Sequence, residues 1–463
     1  MNELEKLLAA KTTENGDKAY NTTGDNLTDL FFMTAYFEKH LDEAHIGDSE
    51  KEKVFSMFVR DPRFGLGRRA LGRELMKQSK VTPENVVKAG RYDDLIYNPT
   101  DANMNYYKEH IAGNELAKKW LPRLTGKNKL LAKAICKMWG LRESSYRKLI
   151  KTKTTEHKLS YAEKDENGTP LNELFHKDNY KHPLVEEINF EEVPSLAMKK
   201  YLHCFSTRED LKGRFEDYIG KVKEKKAKMN VKTANVHDAH QIATAGGFVA
   251  QSVEDIARET MAEKVVDNAT LNVELNAIVI LDTSGSMYWD GKSGDRIGDK
   301  ATSVAYAIST KSTYAPNQLI SFSSFPQLLK IHGETMREKY HSMYTGDCSN
   351  TDFGKVMEIL RGLKKFPEYL VVLTDMEFDA GSNQSKKETM RLFKEAGANT
   401  KIIWWNFNDR NRTSIEIDEY GNFYLSGYNL QLLKLLENGM NMTSYIEKVL
   451  VNYCKQIGYE VKF

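Results

Sequence analysis

Along the first 270 residues apolar side chains recur every three or four positions, the spacing of one buried helix face. The pattern predicts a helix in LTDLFFMTAYFEKHL, opened by a cap at Asn26 or Thr28. It returns in EKEKVFSMFVRD, ALGRELMKQSK, TPENVVKAGRYDDLIY, NELAKKWLPRL, KNKLLAKAICKMWG, ESSYRKLIKTK, PSLAMKKYLHCF, EDLKGRFEDYIGKVKEKKAK and VEDIARETMAEKVVD. These read as amphipathic helices of about 10 to 18 residues joined by short polar turns. Such a series packs as an all-α, HEAT-like solenoid or ring of helix pairs, although the sequence shows no strict period. Past residue 271 the period changes. Strand-like runs ELNAIVILD, NQLISFSSF, EYLVVLTD and TKIIWWNF alternate with helix-like DKATSVAYAISTK, TDFGKVMEILRGLKK, QSKKETMRLFKEAG, LQLLKLLENG and TSYIEKVLVNYCKQIG. That alternation predicts a parallel, doubly wound α/β sheet. The expected organisation is a polar arm over 1–26, a helical-repeat domain over 27–270 and an α/β domain over 271–463. A turn-rich, charged insertion at 160–183 interrupts the helical part.

Bulk properties change this picture little. A chain of 463 residues with 40% hydrophobic and 29% charged residues has room for several self-sufficient cores. No run approaches the roughly 18 consecutive apolar residues of a membrane span, and the amino terminus lacks the apolar stretch of a secretory signal. Cys136, Cys204, Cys348 and Cys454 lie far apart without a CxxC pair, which suits a reducing compartment and disfavours a cysteine zinc site. A cytoplasmic location without membrane contact is expected.

Candidate chemistry concentrates at the carboxyl ends of the predicted strands, where open α/β sheets hold ligands. AIVILD runs directly into Asp282-Thr283-Ser284-Gly285-Ser286, placing an acid and two hydroxyls on one tight loop. A second strand, LVVLT, ends at Asp375, and Thr351 precedes a helix between them. The set Asp282, Ser284, Ser286, Thr351 and Asp375 resembles the metal-ion-dependent adhesion site of von Willebrand A domains, a DxSxS pattern followed by a loop threonine and a later aspartate. The resemblance implies a bound divalent cation with one position open to a carboxylate from a partner protein. Hard oxygen donors suit Mg²⁺, with Mn²⁺ or Ca²⁺ as alternatives, and disfavour zinc. Asp290 and Asp295 lie in the loop beside this set, where a solvated role is expected.

Charge is segregated within a molecule of net charge +2. From Lys118 to Lys158 there are 13 Lys or Arg against only Glu143 and Glu156, and from Lys221 to Lys232 six Lys against Glu224. Clusters of this kind hold phosphate backbones. Lys118, Lys119, Arg123, Lys137, Arg142, Arg147 and Lys148 are the candidate RNA contacts, with Trp120, Trp139 and Tyr146 among them as residues that stack on unpaired bases or, more commonly, fill a core.

The helical part resembles the RNA-binding module of Ro-type proteins (the TROVE class), and more closely their uncharacterised plant, fungal and viral relatives with the same two-part layout. The resemblance is carried by TENGDKAYNTTGDNLTDLFF, RDPRFGLGRR at 60–69, GRYDDLIY at 90–97, GLRESSYRKLI at 140–150 and INFEEVPSLAMKKYLHCFSTREDLKGRFEDYIGKV at 188–222. It implies a ring of helical repeats closed by a von Willebrand A domain. Such a ring admits single-stranded RNA ends and holds structured small RNAs on its outer basic face. Two departures, the 160–183 insertion and a YRKL block without a Ro-like histidine context, limit the implication to general RNA affinity. The alternative is a protein–protein scaffold or viral structural component that uses the cation site without binding RNA.

Other motifs carry less. Gly67 and Gly72 have P-loop spacing, but Arg73-Glu74 replaces the Lys-Ser/Thr and no strand precedes them. His237 and His240 could share a helical turn with Asp238, yet lack a third donor at ligand spacing. No catalytic triad or carboxylate pair can be assembled, so neither enzymatic activity nor a small-molecule substrate is expected.

Overall fold

The structure, a computed structural model, describes residues 11–12, 18–19, 25–150 except 33, 188–231, 234–245, 252–270, 275–289, 296–346, 353–375 except 364, 391, 394–395, 399–407, 423–426 and 442–460. The 160–183 insertion, Thr351, Asp290 and Asp295 lie outside these residues, as do most of QSKKETMRLFKEAG and all of LQLLKLLENG. The chain divides into a helical unit, residues 45–233, 251–257 and 449–463, and a sheet unit, residues 1–44, 234–250 and 258–448.

Lys11–Thr12 and Lys18–Ala19 pair antiparallel near the amino terminus. The first predicted helix is two, α1 (Asn26–Phe32) and α2 (Thr34–Lys39). Their cap is neither Asn26 nor Thr28 but Asp25, whose carboxylate accepts from the Thr28 hydroxyl and, at 3.2 Å, from its N–H. In the helical unit, α3 (Glu50–Arg60) opens on a capping box in which Ser49 and Glu52 satisfy each other's backbone N–H groups. Helix α4 (Arg69–Gln78) packs directly on α3. The segment read as one helix over TPENVVKAGRYDDLIY is α5 (Pro83–Ala89) and α6 (Tyr92–Tyr97). The break has a local cause: the Asp94 carboxylate folds back onto the Arg91 N–H at 2.8 Å and fills the space a side chain at Gly90 would need.

Helix α7 (Asp101–His110) was not expected, because DANMNYYKEH has little apolar periodicity; Thr100 caps it and Met104 and Tyr107 bury it. There follow α8 (Glu115–Trp120), α9 (Lys129–Met138) and α10 (Glu143–Leu149). Helices α11 (Ser195–Thr207) and α12 (Glu209–Lys223) pack as a pair around Phe190, Phe205, Phe215 and Tyr218, a cluster of neighbouring rings. Helix α13 (Val236–Thr244) belongs to the sheet unit, and α14 (Val253–Thr270) follows it.

The sheet has six strands: β1 (Ala277–Asp282), β2 (Gln318–Phe322), β3 (Gln327–Lys330), β4 (Tyr369–Thr374), β5 (Lys401–Asn406) and β6 (Phe423–Ser426). Their order is β3-β2-β1-β4-β5-β6, parallel throughout except for antiparallel β3 at one edge. The four long apolar runs are strands as expected, whereas β3 and β6 carry no strand signal strong enough to read alone. Both faces of β1 are buried, which is why it reads as a continuous apolar run. Ile278, Ile280, Ile320, Phe322, Leu370 and Val372 form one face with Val356, Met357 and Leu360 of α18 (Phe353–Arg361). Helix α16 (Ile297–Ser309) also packs on β1 but contributes nothing to that cluster, so it covers the other face. The short α15 (Ser286–Trp289) and α17 (Met336–His341) complete this unit's labelled helices before the C-terminal α19 (Met442–Ile457).

Candidate metal centre and basic cleft

From β1 the chain steps outward to β2 and β3, then crosses back to β4 on the other side of β1. The reversal leaves a crevice at the carboxyl ends of β1 and β4, the position at which such sheets hold ligands. Asp282 is the last residue of β1 and Asp375 follows the last residue of β4, so strand register alone brings two acids to the crevice. Asp282 is fully buried and Asp375 is 4% exposed. The Thr374 hydroxyl donates to Asp282 Oδ2 at 2.6 Å and the Ser284 N–H to Oδ1 at 2.9 Å. Ser284 and Ser286 place their hydroxyl oxygens 3.1 Å apart. Thr283 continues the β1–β2 pairing through its N–H to the Phe322 carbonyl at 2.9 Å, which fixes the loop at its base.

Burial pushes the Asp282 pKa up to about 7, and the like charge of Asp375 adds to the rise. The two donors to Asp282 named above are neutral. Two buried carboxylates facing one crevice with two hydroxyls form an oxygen-rich, charge-deficient set, which is the donor chemistry of a hard divalent cation. Among the described residues no group of three or more His, Cys, Asp or Glu side chains is placed to hold a metal, so any site here is built from hydroxyls as well as carboxylates. Thr374 is the partner that sequence reasoning overlooked; its position immediately before Asp375 is the signal that could have found it. Trp289, 88% exposed at the end of α15, and Phe325, 67% exposed just past β2, are large apolar side chains on the same unit.

The basic candidates separate into two groups. Lys119 and Arg123 line a cleft of about 960 Å³ in the helical unit, together with Arg69, Arg73, Lys127 and Lys200. Lys137, Arg142, Arg147 and Lys148 are exposed on or beside α9 and α10, outside that lining. Lys118 binds Glu115 at 2.9 Å, and Glu143 lies 3.7 Å from Arg147. The aromatic candidates divide as well. Trp120 lines the cleft with Arg91 and Lys119 over its ring at 4.5 and 4.7 Å. Trp139 and Tyr146 are core residues, 4% and 0% exposed, and Tyr146 donates to the Pro122 carbonyl at 2.8 Å, so neither is available to a base. In the 221–232 run Lys221 pairs with Asp217 and Lys226 with Glu224, both at 2.6 Å on an exposed surface.

The demoted motifs are structural. Gly67 (φ +68°) closes the turn after α3, and Gly72 lies where a Cβ would stand 2.6 Å from Arg60 Cα. His237 and His240 are buried on α13, bonded to Gln241 at 3.1 Å and Tyr344 at 3.4 Å respectively. No helix among the described residues is long and apolar enough to cross a membrane.

Residues 276–456, from just before β1 into α19, match a family described as a domain of unknown function (DUF7788). The chain is 24% identical to the uncharacterized protein L728 of Acanthamoeba polyphaga mimivirus over 95% of this chain and 87% of that one. Among solved structures it is similar to the Ro (RSR) protein of Deinococcus radiodurans, with a TM-score of 0.35 and 10% identity over 95% of this chain and 96% of that one.

Proposed function

We propose that this chain is a non-enzymatic, cytoplasmic RNA-binding protein of the Ro-like kind. Its helical unit holds RNA phosphates, and its sheet unit is a von Willebrand A-type domain that recruits a protein partner through a divalent cation. The observation that carries the RNA reading is the convergence of Lys119 and Arg123 with cations from other helices around one cleft, while Lys137, Arg142, Arg147 and Lys148 stay solvent-facing nearby in sequence. The packing of α3 on α4 and of α11 on α12 supports a HEAT-like arrangement of helix pairs.

In the sheet unit, Asp282, Ser284, Ser286 and Asp375 would hold the ion, with Thr351, two positions before the start of α18, as the fifth donor. Mg²⁺ suits these oxygens, and Mn²⁺ or Ca²⁺ would compete. When bound, the cation supplies a coordination position for a partner's carboxylate. The chain's own contribution is to keep the donors in place: Thr374 and the Ser284 N–H each fix one Asp282 oxygen, and strand register fixes Asp375 beside it.

Binding of the full-length protein to a panel of RNAs across a salt series tests the RNA reading. The double reversal R142E/R147E should weaken every RNA and flatten the log–log salt dependence by roughly 0.7 to 0.9 for each phosphate no longer neutralised, while D282A leaves RNA affinity unchanged. Unaltered affinity in R142E/R147E would show that the face is misassigned. A wild-type protein that binds no RNA, and whose 260/280 absorbance ratio does not respond to nuclease, would favour the scaffold alternative.

A further inference from the structure

At one junction of the helical unit arginines outnumber carboxylates. Arg60, Arg69, Arg73 and Arg91 gather about only two carboxylates, Asp93 and Asp94. Arg60 Nη2 lies 2.8 Å from Asp94, Arg73 reaches both acids (2.7 Å to Asp93), and Arg69 pairs with Asp93. The pairs join three helices: α4 contributes Arg69 and Arg73, α6 both aspartates, and Arg60 ends α3. Arg60 and Asp94 are almost wholly buried, and Arg60 Nε has no hydrogen-bond partner among the described residues. Burial first, then repulsion from Arg60 and Arg69, lowers the Arg91 pKa against the pull of both aspartates. Four guanidiniums about two carboxylates leave a local excess of positive charge, which attracts an anion to the surface beside them.

This cluster forms one wall of the 960 Å³ cleft, since Arg69, Arg73 and Asp93 all line it. The remaining wall is of a different kind. Lys119, Arg123, Lys127 and Lys200 bring four more cations from α8, the following turn and α11. Trp120 and the exposed Tyr97 stand among them, each ring with a cation over it, Arg91 at 4.5 Å and Arg73 at 5.5 Å respectively, whereas Tyr201, with Lys200 at 4.9 Å, is a buried core ring. Leu121, Pro122, Leu131 and Leu196 add apolar surface. An inorganic anion would need only the cations, and an apolar ligand would have no use for them. A ligand with a phosphate at one end and a flat aromatic group at the other uses both walls, because indole, phenol and guanidinium planes are the surfaces on which bases stack. The volume falls in the range of sites for single small molecules and is too small for a double helix.

We infer that this cleft is a nucleotide-binding site, in which Arg69, Arg73, Lys127 and Lys200 take the phosphate and Trp120 takes the base. The inference deepens the RNA-binding reading above and rests on it for one of two sources of the nucleotide, the end of an RNA strand; the other is a free nucleoside phosphate. Arg60 and Asp94 are positioning residues that hold the arginine wall together from α3 and α6.

Calorimetric titration of the full-length protein with AMP, ATP, a 5′-phosphorylated oligoadenylate, the same oligomer in a duplex, and inorganic phosphate tests it. Lys127 and Lys200 are exposed, so K127E/K200E does not put folding at risk. AMP or the oligoadenylate should bind the wild type, and K127E/K200E should weaken that binding by about tenfold or more. W120A should weaken it comparably and W120F restore most of it, since a ring is what the base requires. Preference for the single strand would name an RNA end as the source, and preference for ATP or AMP a free nucleotide. The inference is overturned if neither binds, if K127E/K200E and W120A leave both unchanged, or if inorganic phosphate or the duplex binds as tightly. The two readings fail separately: RNA binding that depends on Arg142 and Arg147 with no nucleotide in the cleft sinks only this inference, and nucleotide binding without RNA affinity sinks only the other.

Discussion

Asp282 shows how one side chain's surroundings set what it can do. Its donors are a hydroxyl and an amide, its charged neighbour is another acid, and burial holds its pKa near 7. A divalent cation would remove that conflict, so Mg²⁺ at a hundred times its dissociation constant should stabilise the wild type by about 2.7 kcal/mol. In D282A the gain in calorimetric midpoint should vanish; an equal gain in the variant would exclude Asp282 as a ligand. His240 makes the opposite case. It is 2% exposed beside Tyr340, Tyr344, Asp299 and His237, and burial first, helped by His237 and opposed by Asp299, pushes its pKa down to about 4. The unfolded chain protonates near 6.5 and the folded one only near 4, so His240's contribution is complete above 6.5 and drains away as pH falls toward 4. At about 1.4 kcal/mol per pKa unit this is roughly 3 kcal/mol. Denaturant melts of H240Q at pH 7 and pH 5 should show a shallower acid loss than wild type; identical slopes would contradict the assignment. Sequence could list both residues, but not their burial, because exposure depends on what packs from elsewhere in the chain.

Helices and strands were legible wherever one residue type repeats at the right period, and misread where a single contact intervenes. The four runs that became β1, β2, β4 and β5 are apolar because helices cover both faces of the sheet. Strand β3, QLLK, is an exposed edge with too short a run to register. TPENVVKAGRYDDLIY has helical periodicity throughout, yet Asp94 stops it at Gly90. Gly72 poses the converse problem inside α4. Helix propensity alone favours alanine there by up to about 1 kcal/mol. Its missing side chain, however, lets α4 approach α3 so closely that a Cβ would meet Arg60 Cα and N at 2.6 and 2.8 Å, backbone atoms that cannot swing aside. Overpacking should win, and G72A should destabilise the helical unit by about 1 to 3 kcal/mol. Equilibrium unfolding followed by circular dichroism measures it; a stabilised variant would show that α3 and α4 can separate at little cost.

Across the molecule, neighbours in sequence and neighbours in space part company. Residues 449–463 cluster with the helical unit although they follow the sheet in the chain. There Tyr453, 1% exposed, stacks edge-on against Phe58 at 5.5 Å and donates to Asp61 at 3.3 Å, while Lys88 reaches the Gly458 carbonyl at 3.1 Å. Y453A should therefore cost the helical unit about 3 to 5 kcal/mol, seen as an earlier loss of helical signal in denaturant. If only the sheet unit's transition moved, that placement would be refuted. Local periodicity was sufficient to read most helices, the long strands, the wound α/β order of the C-terminal part and the crevice residues Asp282 and Asp375, because each follows from spacing along a short stretch or from the end of a strand. Folding alone assembled the cleft, which joins α4, α6, α8 and α11, and sorted Trp120 from Trp139 and Tyr146. It likewise returned the C-terminal helix to the start of the helical unit. Those outcomes depend on long-range packing, and packing energy is a property of surfaces that meet, which no window of neighbouring residues contains.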